Sequence, residues 1–528
     1  MTNKYVQYIK NKYNKIPTPI FYLIAIAFAI RFIGIGYGLP LYINSDEPVL
    51  ISTTVNLRHN INPERFDWPH LYYYINAVAY AIFYVIRSVI SLFYRFEYLY
   101  SDSILFIISR FLSVIFGTLT IIPVYFFTKN LFNSKKTGLY AAMALTFLPI
   151  HANESHLAKL DIAQTFFIAV AFYFLPRILH SNRAKDYMYF GLFTGIATSI
   201  KYNGFLIFLP LLLAVYFNKP SIKYYLKLKN ILIDIKNLFI AGITSVIAFY
   251  LGTPYALIDY EKFFSNERAV GAMWQFENVG KVDWIDYPAK LIEALFFMYR
   301  ENLGLMLWIV FMATIIAYLF FNKRSIAYNL TVFPVLFFTF YICRFERSPD
   351  HYFLFLIPLY CGFLGMFMEE TIQYIEKMIS FKNANYILTL LILSTSIYTS
   401  LKYSYLYLQK DTRNIAYDWV KQNINESTDS LYIYGDELEQ ITFQEKNSTR
   451  VPKIDKAHFR GFPLPYYVLI GVTGVSKESM LSGDRDPKNV EGDSEAILKY
   501  AEVKYTIDNT NRLGPPIYIF RVTEIRDK

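Results

Sequence analysis

The chain has 528 residues, of which 54% are hydrophobic, 19% aromatic and only 18% charged, and its mean hydropathy is +0.27. That balance excludes an ordinary soluble domain. The net charge of +10 does not point to nucleic acid, because the basic residues sit mainly in short loops between apolar runs, as the positive-inside bias requires.

Apolar runs of 15 to 25 residues recur from Pro17 to about Leu401. They match the ~20 residues that a helix needs to cross a bilayer core. The first stretch, MTNKYVQYIKNKYNK, carries four Lys and no acid and is expected in the cytoplasm. It is long and basic, and no small-residue cleavage site follows the apolar core, so it does not read as a cleavable signal peptide. Residues 17–37 then cross outward. Further spans are expected near 104–128, 138–156, 162–179, 187–200, 203–217, 238–253, 291–320, 327–343, 350–368 and 386–401, about eleven in all. The basic loops 129–136, 181–186, 218–237 and 322–325 belong on the cytoplasmic side. The apolar stretch 71–93 breaks this parity. It is expected to lie in or dip into the outer leaflet, within a first external loop of about 38–103, where Arg87 and a run of Tyr suit an interface. The alternative is that it crosses and the charge rule fails there.

With that topology, five segments share the outer face: 38–103, HANESHLAKLD (151–161), the short turn at Lys201, the loop 254–290, and CRFERSPDHY (343–352). Charges at such edges are costly unless partnered, so their convergence marks a candidate site. Asp46 and Glu47 precede Pro48 and read as a helix start, with acids in the first turn. A half-dry carboxylate there would serve as a base. On one continuous helix Glu154 and Asp161 are nearly eclipsed, with His151 within a turn of the stripe. That stripe could hold a divalent cation, although its spacing is no recognised ligand pattern. It could equally cap one span and start the next, with Asp161 at the helix N-terminus. Lys201 is a lone cation on the outer face and, with Arg344, Arg347 and His351, suits a phosphate. Such cations at the lipid–water boundary imply a substrate with an anionic headgroup and an apolar tail. Cys343 and Cys361 lack metal-ligand spacing.

Composition shifts after Leu401. DTRNIAYDWVKQNI reads as an amphipathic helix with Ile415, Trp419, Val420 and Ile424 on one stripe and Asp411 or Thr412 as its cap. SLYIY, YYVLIGV, VKYTI and IYIFRV read as strands. The expected architecture is therefore an all-α polytopic membrane domain over 1–401 and a small extracytoplasmic α/β domain over 402–528. N-x-S/T triplets start at Asn425 and Asn447.

Several motifs in order resemble the GT-C membrane glycosyltransferases, in particular the bacterial and archaeal relatives of dolichyl-phosphate-mannose protein mannosyltransferases (family 39) and the lipid A aminoarabinose transferases. They are the acidic pair Asp46-Glu47, WPHLYYYINA (68–77), ISRFLSVIFGTLT with Arg110, HLAKLDIAQTFF with Asp161, GIATSIKYNGFLIFLP with Lys201, GTPYALID and DHYFLFLIP. The resemblance spans roughly residues 17–400. It implies an inverting transfer of sugar from a polyprenyl-phosphate donor to a hydroxyl of a lipid, glycan or protein acceptor, outside the plasma membrane. Asp46 would be the base, with Glu47 and Asp161 as further acids that orient hydroxyls or hold an optional cation. Lys201, Arg344, Arg347 and His351 would meet the donor phosphate, and His70, Tyr73, Arg110, Glu154 and Tyr202 would contact substrate. The family motif H-P-P-L is replaced by Trp68-Pro69-His70-Leu71. No cofactor is implied, and the only other partners implied are membrane lipids. The competing reading is a polytopic transporter or lipid-linked-sugar flippase. Against it stand the lack of an internal repeat and acids that sit at span edges. Deleting 402–528 would separate a membrane-anchored binding module, which loses all function, from a transferase able to retain donor turnover.

Overall fold

The computed structural model describes residues 16–94, 101–218, 227–277, 280–321, 325–378, 383–425, 429–435, 438, 448–450, 464–471 and 501–524. The basic N-terminal stretch, much of the 218–237 and 322–325 loops, and all of the two N-x-S/T triplets except Asn425, Ser448 and Thr449 lie outside them. By its contacts the chain divides into two compact units, one of residues 1–35 and 49–404, the other of 36–48 and 405–528.

The first unit is helical. Besides short helical turns, its elements include α1 (Thr18–Phe32), α2 (Asp46–Asn56, which starts in the other unit), α3 (Leu71–Ser91), α4 (Ser103–Leu119), α5 (Ile121–Leu131), α6 (Lys135–Thr146), α7 (Pro149–Glu154), α8 (Leu160–Ser181), α9 (Ala184–Thr198), α10 (Phe208–Phe217), α11 (Leu228–Gly252), α12 (Leu305–Phe320), α13 (Ile326–Ile342), α14 (Ile357–Met378) and α15 (Ala384–Leu408). Pro starts α7, and the Ser134 side chain caps α6 by accepting from Thr137 N. Among the described residues six helices are long and apolar enough to cross a membrane, Leu71–Ser91 included, and four apolar helices are shorter. The span expected over 138–156 is two helices, α6 and α7, broken before Pro149, and the one over 291–320 is interrupted at Gly304. The stretch 71–93 forms one unbroken 21-residue helix. Its first half buries Tyr72, Tyr73, Asn76 and Tyr80. Its second half turns Ile82, Val85, Ile86 and Val89 outward, the pattern of a helix that leaves the protein body for lipid.

Small residues set the closest helix approach. Gly191 and Gly195 of α9 lie against Ala241 and Ser245 of α11, so that a Cβ at either glycine would fall 2.1 or 2.2 Å from the carbonyl oxygen of Ala241 or Ser245. Four-residue spacing on both helices brings backbone onto backbone, which drives association where lipid supplies no hydrophobic gain. Gly195→Leu should therefore force α9 and α11 apart and destabilise the membrane unit by roughly 1–3 kcal/mol. A lowered thermal midpoint in detergent would register it, and an unchanged midpoint would refute the packing argument.

The second unit holds α16 (Thr412–Asn423) and five strands, β1 (Ser430–Tyr434), β2 (Ser448–Arg450), β3 (Tyr466–Gly471), β4 (Glu502–Ile507) and β5 (Ile517–Val522). The strand order is β2-β1-β3-β5-β4. β1 runs parallel to β2 and β3, and β5 antiparallel to β3 and β4. The four sequence-read strands are present, and β2, only three residues long, was not read. Asp411 is the helix cap. Ala416, Val420 and Ile424 face Leu431, Ile433, Leu469 and Ile519, with Ile415 and Trp419 at the margin. The buried stripe is thus rotated toward Ala416 from the one expected, because small Ala416 lets α16 approach the sheet.

Candidate active site

Within the membrane unit the charged segments collect at one end, and the basic loops 129–136 and 181–186 lie at the other. At the basic end the Ser134 hydroxyl donates to Glu369 (2.6 Å), Arg177 pairs with Asp186 (2.7 Å), and Asn182 reaches Asp234 (3.3 Å). Helices α8, α9, α11 and α14 run from that end to the one where residues 62–70, 155–161, 199–203, 253–277, 280–290 and 343–352 meet.

Asp161 lies in the first turn of α8, where the helix dipole favours a carboxylate. Lys201, extended just beyond α9, places its Nζ 2.6 Å from Asp161 Oδ1 and 4.7 Å from the centre of the Tyr352 ring. Gln164, one turn along α8, donates from Nε2 to the Lys201 carbonyl (2.7 Å) and to Asn203 Oδ1 (2.8 Å), and so fixes the turn that carries Lys201. Thr165 Oγ1 donates to the Asp161 carbonyl and to that of Leu354 (2.8 and 3.3 Å), tying α8 to the turn of Asp350–Leu356 that carries His351 and Tyr352. Lys159, 6% exposed, pairs with Glu154 at 3.4 Å. His351 and Lys159 both act electrostatically on Asp161, and Arg347 acts on His351. Three permanent cations, Lys159, Lys201 and Arg347, thus gather with His351 around two carboxylates, Glu154 and Asp161. The cluster keeps an excess of positive charge beside apolar helices, so it is suited to an anion.

Other expected site residues do structural work. His70 is fully buried against Phe66 (4.7 Å between rings), its backbone N–H bonds to Thr253 Oγ1 (3.2 Å) and its Nε2 lies 3.0 Å from the Arg65 carbonyl. Burial pushes its pKa down to about 4, so it is neutral near pH 7. Tyr202 donates to the Phe66 carbonyl (2.6 Å). His70 and Tyr202 therefore pin the first loop beneath the 253–272 segment. Tyr73 is buried against Trp68 (6.3 Å between rings), and Arg110 donates to the Ile35 carbonyl (2.9 Å). Arg344 does not join the cluster. It sits over Trp284 (3.8 Å) and donates to the Val282 carbonyl.

The expected Glu154–Asp161 stripe on one helix is corrected. The chain leaves the helix after Glu154, where Ser155 Oγ bonds back to the His151 carbonyl (2.6 Å), and a turn separates α7 from α8. Of the two readings of this segment, the one that starts a span at Asp161 holds. The His151, Glu154, Asp161 metal set is corrected as well, since His151 turns its Nδ1 to Arg31 Nη2 (3.0 Å). Among the described residues no three His, Cys, Asp or Glu side chains gather as a metal site. Asp46 and Glu47 open α2 as read, with Asn44 Oδ1 accepting from Asp46 N (3.0 Å), and they belong by contact to the second unit. Further along α2, Leu50 packs with Tyr72, Tyr73, Leu160 and Ile200.

Residues 82–235 match the family model of dolichyl-phosphate-mannose-protein mannosyltransferase. No curated protein matches the sequence. Among solved structures, ArnT from Cupriavidus metallidurans in the apo state is similar over 95% of this chain and 97% of its own, with a TM-score of 0.50 and 10% identity. That likeness is one of fold. The Archaeoglobus fulgidus oligosaccharyltransferase tethered with an acceptor peptide is also similar, over 80% of this chain and 63% of its own (TM-score 0.49, 14% identity), so the chain spans less than two thirds of that protein's length. The Saccharomyces cerevisiae Pmt1–Pmt2 complex bound to the sugar donor matches over 49% of this chain and 37% of its own (TM-score 0.36, 17% identity).

Three residues of the helical unit escaped the sequence reading. Lys159 and Gln164 flank Asp161 in the quoted motif, but only the break at 155–159 and the turn at Lys201 give them partners. Arg31, buried inside the first span, donates to the carbonyls of Leu145 (3.0 Å) and Thr146 (3.1 Å). A charge within an apolar run is itself the signal that would have found it.

Proposed function

We propose that the chain transfers a sugar from a polyprenyl-phosphate-linked donor to an acceptor hydroxyl on the extracytoplasmic side of the plasma membrane, its N-terminus being cytoplasmic. The observation that carries this reading is the cluster of three cations, Lys159, Lys201 and Arg347, with His351, around Glu154 and Asp161 at one end of the helical unit. The match of 82–235 to a family named for a dolichyl-phosphate sugar donor supports it. The bond from the anomeric carbon to the phosphate oxygen breaks, and the phosphate leaves with the electron pair. Lys201, aimed by its ion pair with Asp161, meets the charge that develops on that oxygen. The acceptor oxygen forms the new bond, and its proton passes to a carboxylate, for which Asp46 at the start of α2 is our assignment. A single base and direct displacement give inversion. The phosphate is a good leaving group, so no strong acid is required. Arg344, locked on Trp284, is assigned no part in the phosphate site.

Complementation tests this reading. Mass spectrometry of glycans and glycolipids from a deletion strain should show a missing sugar, restored by the wild-type gene and not by Asp46→Asn, since loss of a base costs about 10²–10⁴ in rate. Full restoration by Asp46→Asn would refute the base assignment, and an unchanged glycan profile in the deletion strain would refute the activity.

A further inference from the structure

The segment that ends on Asp46 and Glu47 is held by the C-terminal unit. Residues 36–48 group by contact with 405–528. Tyr37 donates its hydroxyl to Asp411 Oδ2, and its ring meets Tyr407 edge-on at 4.8 Å. Asn414, on the first turn of α16, donates from Nδ2 to the carbonyls of Gly38 (3.1 Å) and Leu39 (3.4 Å). Asp411 is buried and does double duty. It caps α16 through Arg413 N (2.8 Å) and pairs with the Arg413 guanidinium (2.8 and 3.0 Å). Thr412 N bonds in turn to the Leu513 carbonyl (3.1 Å), between β4 and β5. The tie therefore runs from the sheet through the helix cap to residues 37–39.

From there to Asp46 the chain has little slack. Gly38 is left-handed (φ +74°), and a Cβ on it would fall 2.5 Å from Ile43 Cδ1. Leu41 N bonds to the Gly38 carbonyl (3.0 Å), and Asn44 receives both Asp46 N (3.0 Å, on its side chain) and Glu47 N (3.3 Å, on its carbonyl). A loop so bonded carries the position of α16 to the first turn of α2.

We propose that the C-terminal unit is a positioning element for the acid-bearing loop, acting through Tyr37, Asp411 and Asn414. This inference rests on the assignment of Asp46 as base. A base must sit within hydrogen-bond reach of its proton, and a displacement of about 1 Å costs about 100-fold in rate. Deletion of 402–528 should then abolish transfer, and not spare donor turnover as the sequence alone allowed.

The test uses the full-length protein in nanodiscs with a defined polyprenyl-phosphate sugar and its acceptor. Tyr37→Phe and Asn414→Leu should lower kcat at least about tenfold while the donor KM stays within about twofold, a split that general loss of structure does not produce. Asp411→Asn keeps one oxygen for Arg413 N and turns an amide N–H toward the Tyr37 hydroxyl, which can accept it, and should retain more of the rate than Asp411→Leu, which offers Tyr37 no polar partner. Should Asn414→Leu fail to fold, Tyr37→Phe, which deletes one oxygen, decides alone. Wild-type kcat in Tyr37→Phe, with Asp46→Asn inactive, overturns the positioning role and leaves the base assignment standing. Full activity in Asp46→Asn removes the base assignment and this inference with it.

Discussion

Lys201→Met should lose at least about 100-fold in kcat/KM, the usual cost of removing one donor from a developing oxyanion. The same replacement strands Asp161, 4% exposed, without its 2.6 Å partner. Removing one member of a buried pair costs roughly 3 kcal/mol, taken at the low end because the Lys201 side chain keeps 21% exposure. Stability and chemistry are then separable. The double variant Lys201→Met with Asp161→Leu leaves no unpaired charge and should recover most of the thermal midpoint. It should remain inactive, because the cation aimed at the leaving phosphate oxygen is gone. Thermal scans beside donor-release assays read both quantities. Activity recovering together with stability would mean that the pair is only a structural tie.

The second large effect is on folding. Arg31→Met should destabilise the membrane unit by on the order of 3 kcal/mol. Leu145 and Thr146 close α6, where Pro149 offers Leu145 no regular donor four residues on and Leu148 N reaches its carbonyl only at 3.4 Å. Arg31 supplies those donors from α1 and places its charge at the negative end of the helix dipole. It also fixes His151 on α7, so one side chain bridges the break between α6 and α7. Arg31→Lys, a point charge without the fork, should recover only part of the loss. A midpoint equal to that of the wild type would show that other contacts hold the break.

How much of this was legible follows from the range of each interaction. Helices that cross are written in apolar runs, and Lys201 and Asp161 stood out because each is a lone charge at the edge of such a run. What the runs could not give is where a helix ends inside a motif. The Glu154–Asp161 stripe assumed 3.6 residues per turn through 155–159, and the Ser155 back-bond and the Pro149 start broke that period on both sides. The roles of His70 and Tyr202 were assigned from motif position, and the structure adds that His70 Nε2 and the Tyr202 hydroxyl each meet a backbone carbonyl of the first loop. Contacts of very long range were invisible. Tyr37 meets Asp411 across 374 residues, and no local pattern announces that the loop of Asp46 belongs with the C-terminal sheet. The four strands of five or six residues carried enough β-branched and aromatic side chains to be read, whereas Ser448–Arg450 offers only three positions.

Native mass spectrometry of the purified chain with added polyprenyl phosphate examines the anion site without need of the sugar or the acceptor. One lipid phosphate should stay bound to the wild-type protein and be lost from Lys201→Met at the same lipid concentration, while a neutral polyprenol binds neither. Equal retention by both proteins would show that the cluster around Asp161 does not hold the phosphate, and the proposed transferase site would fall with it.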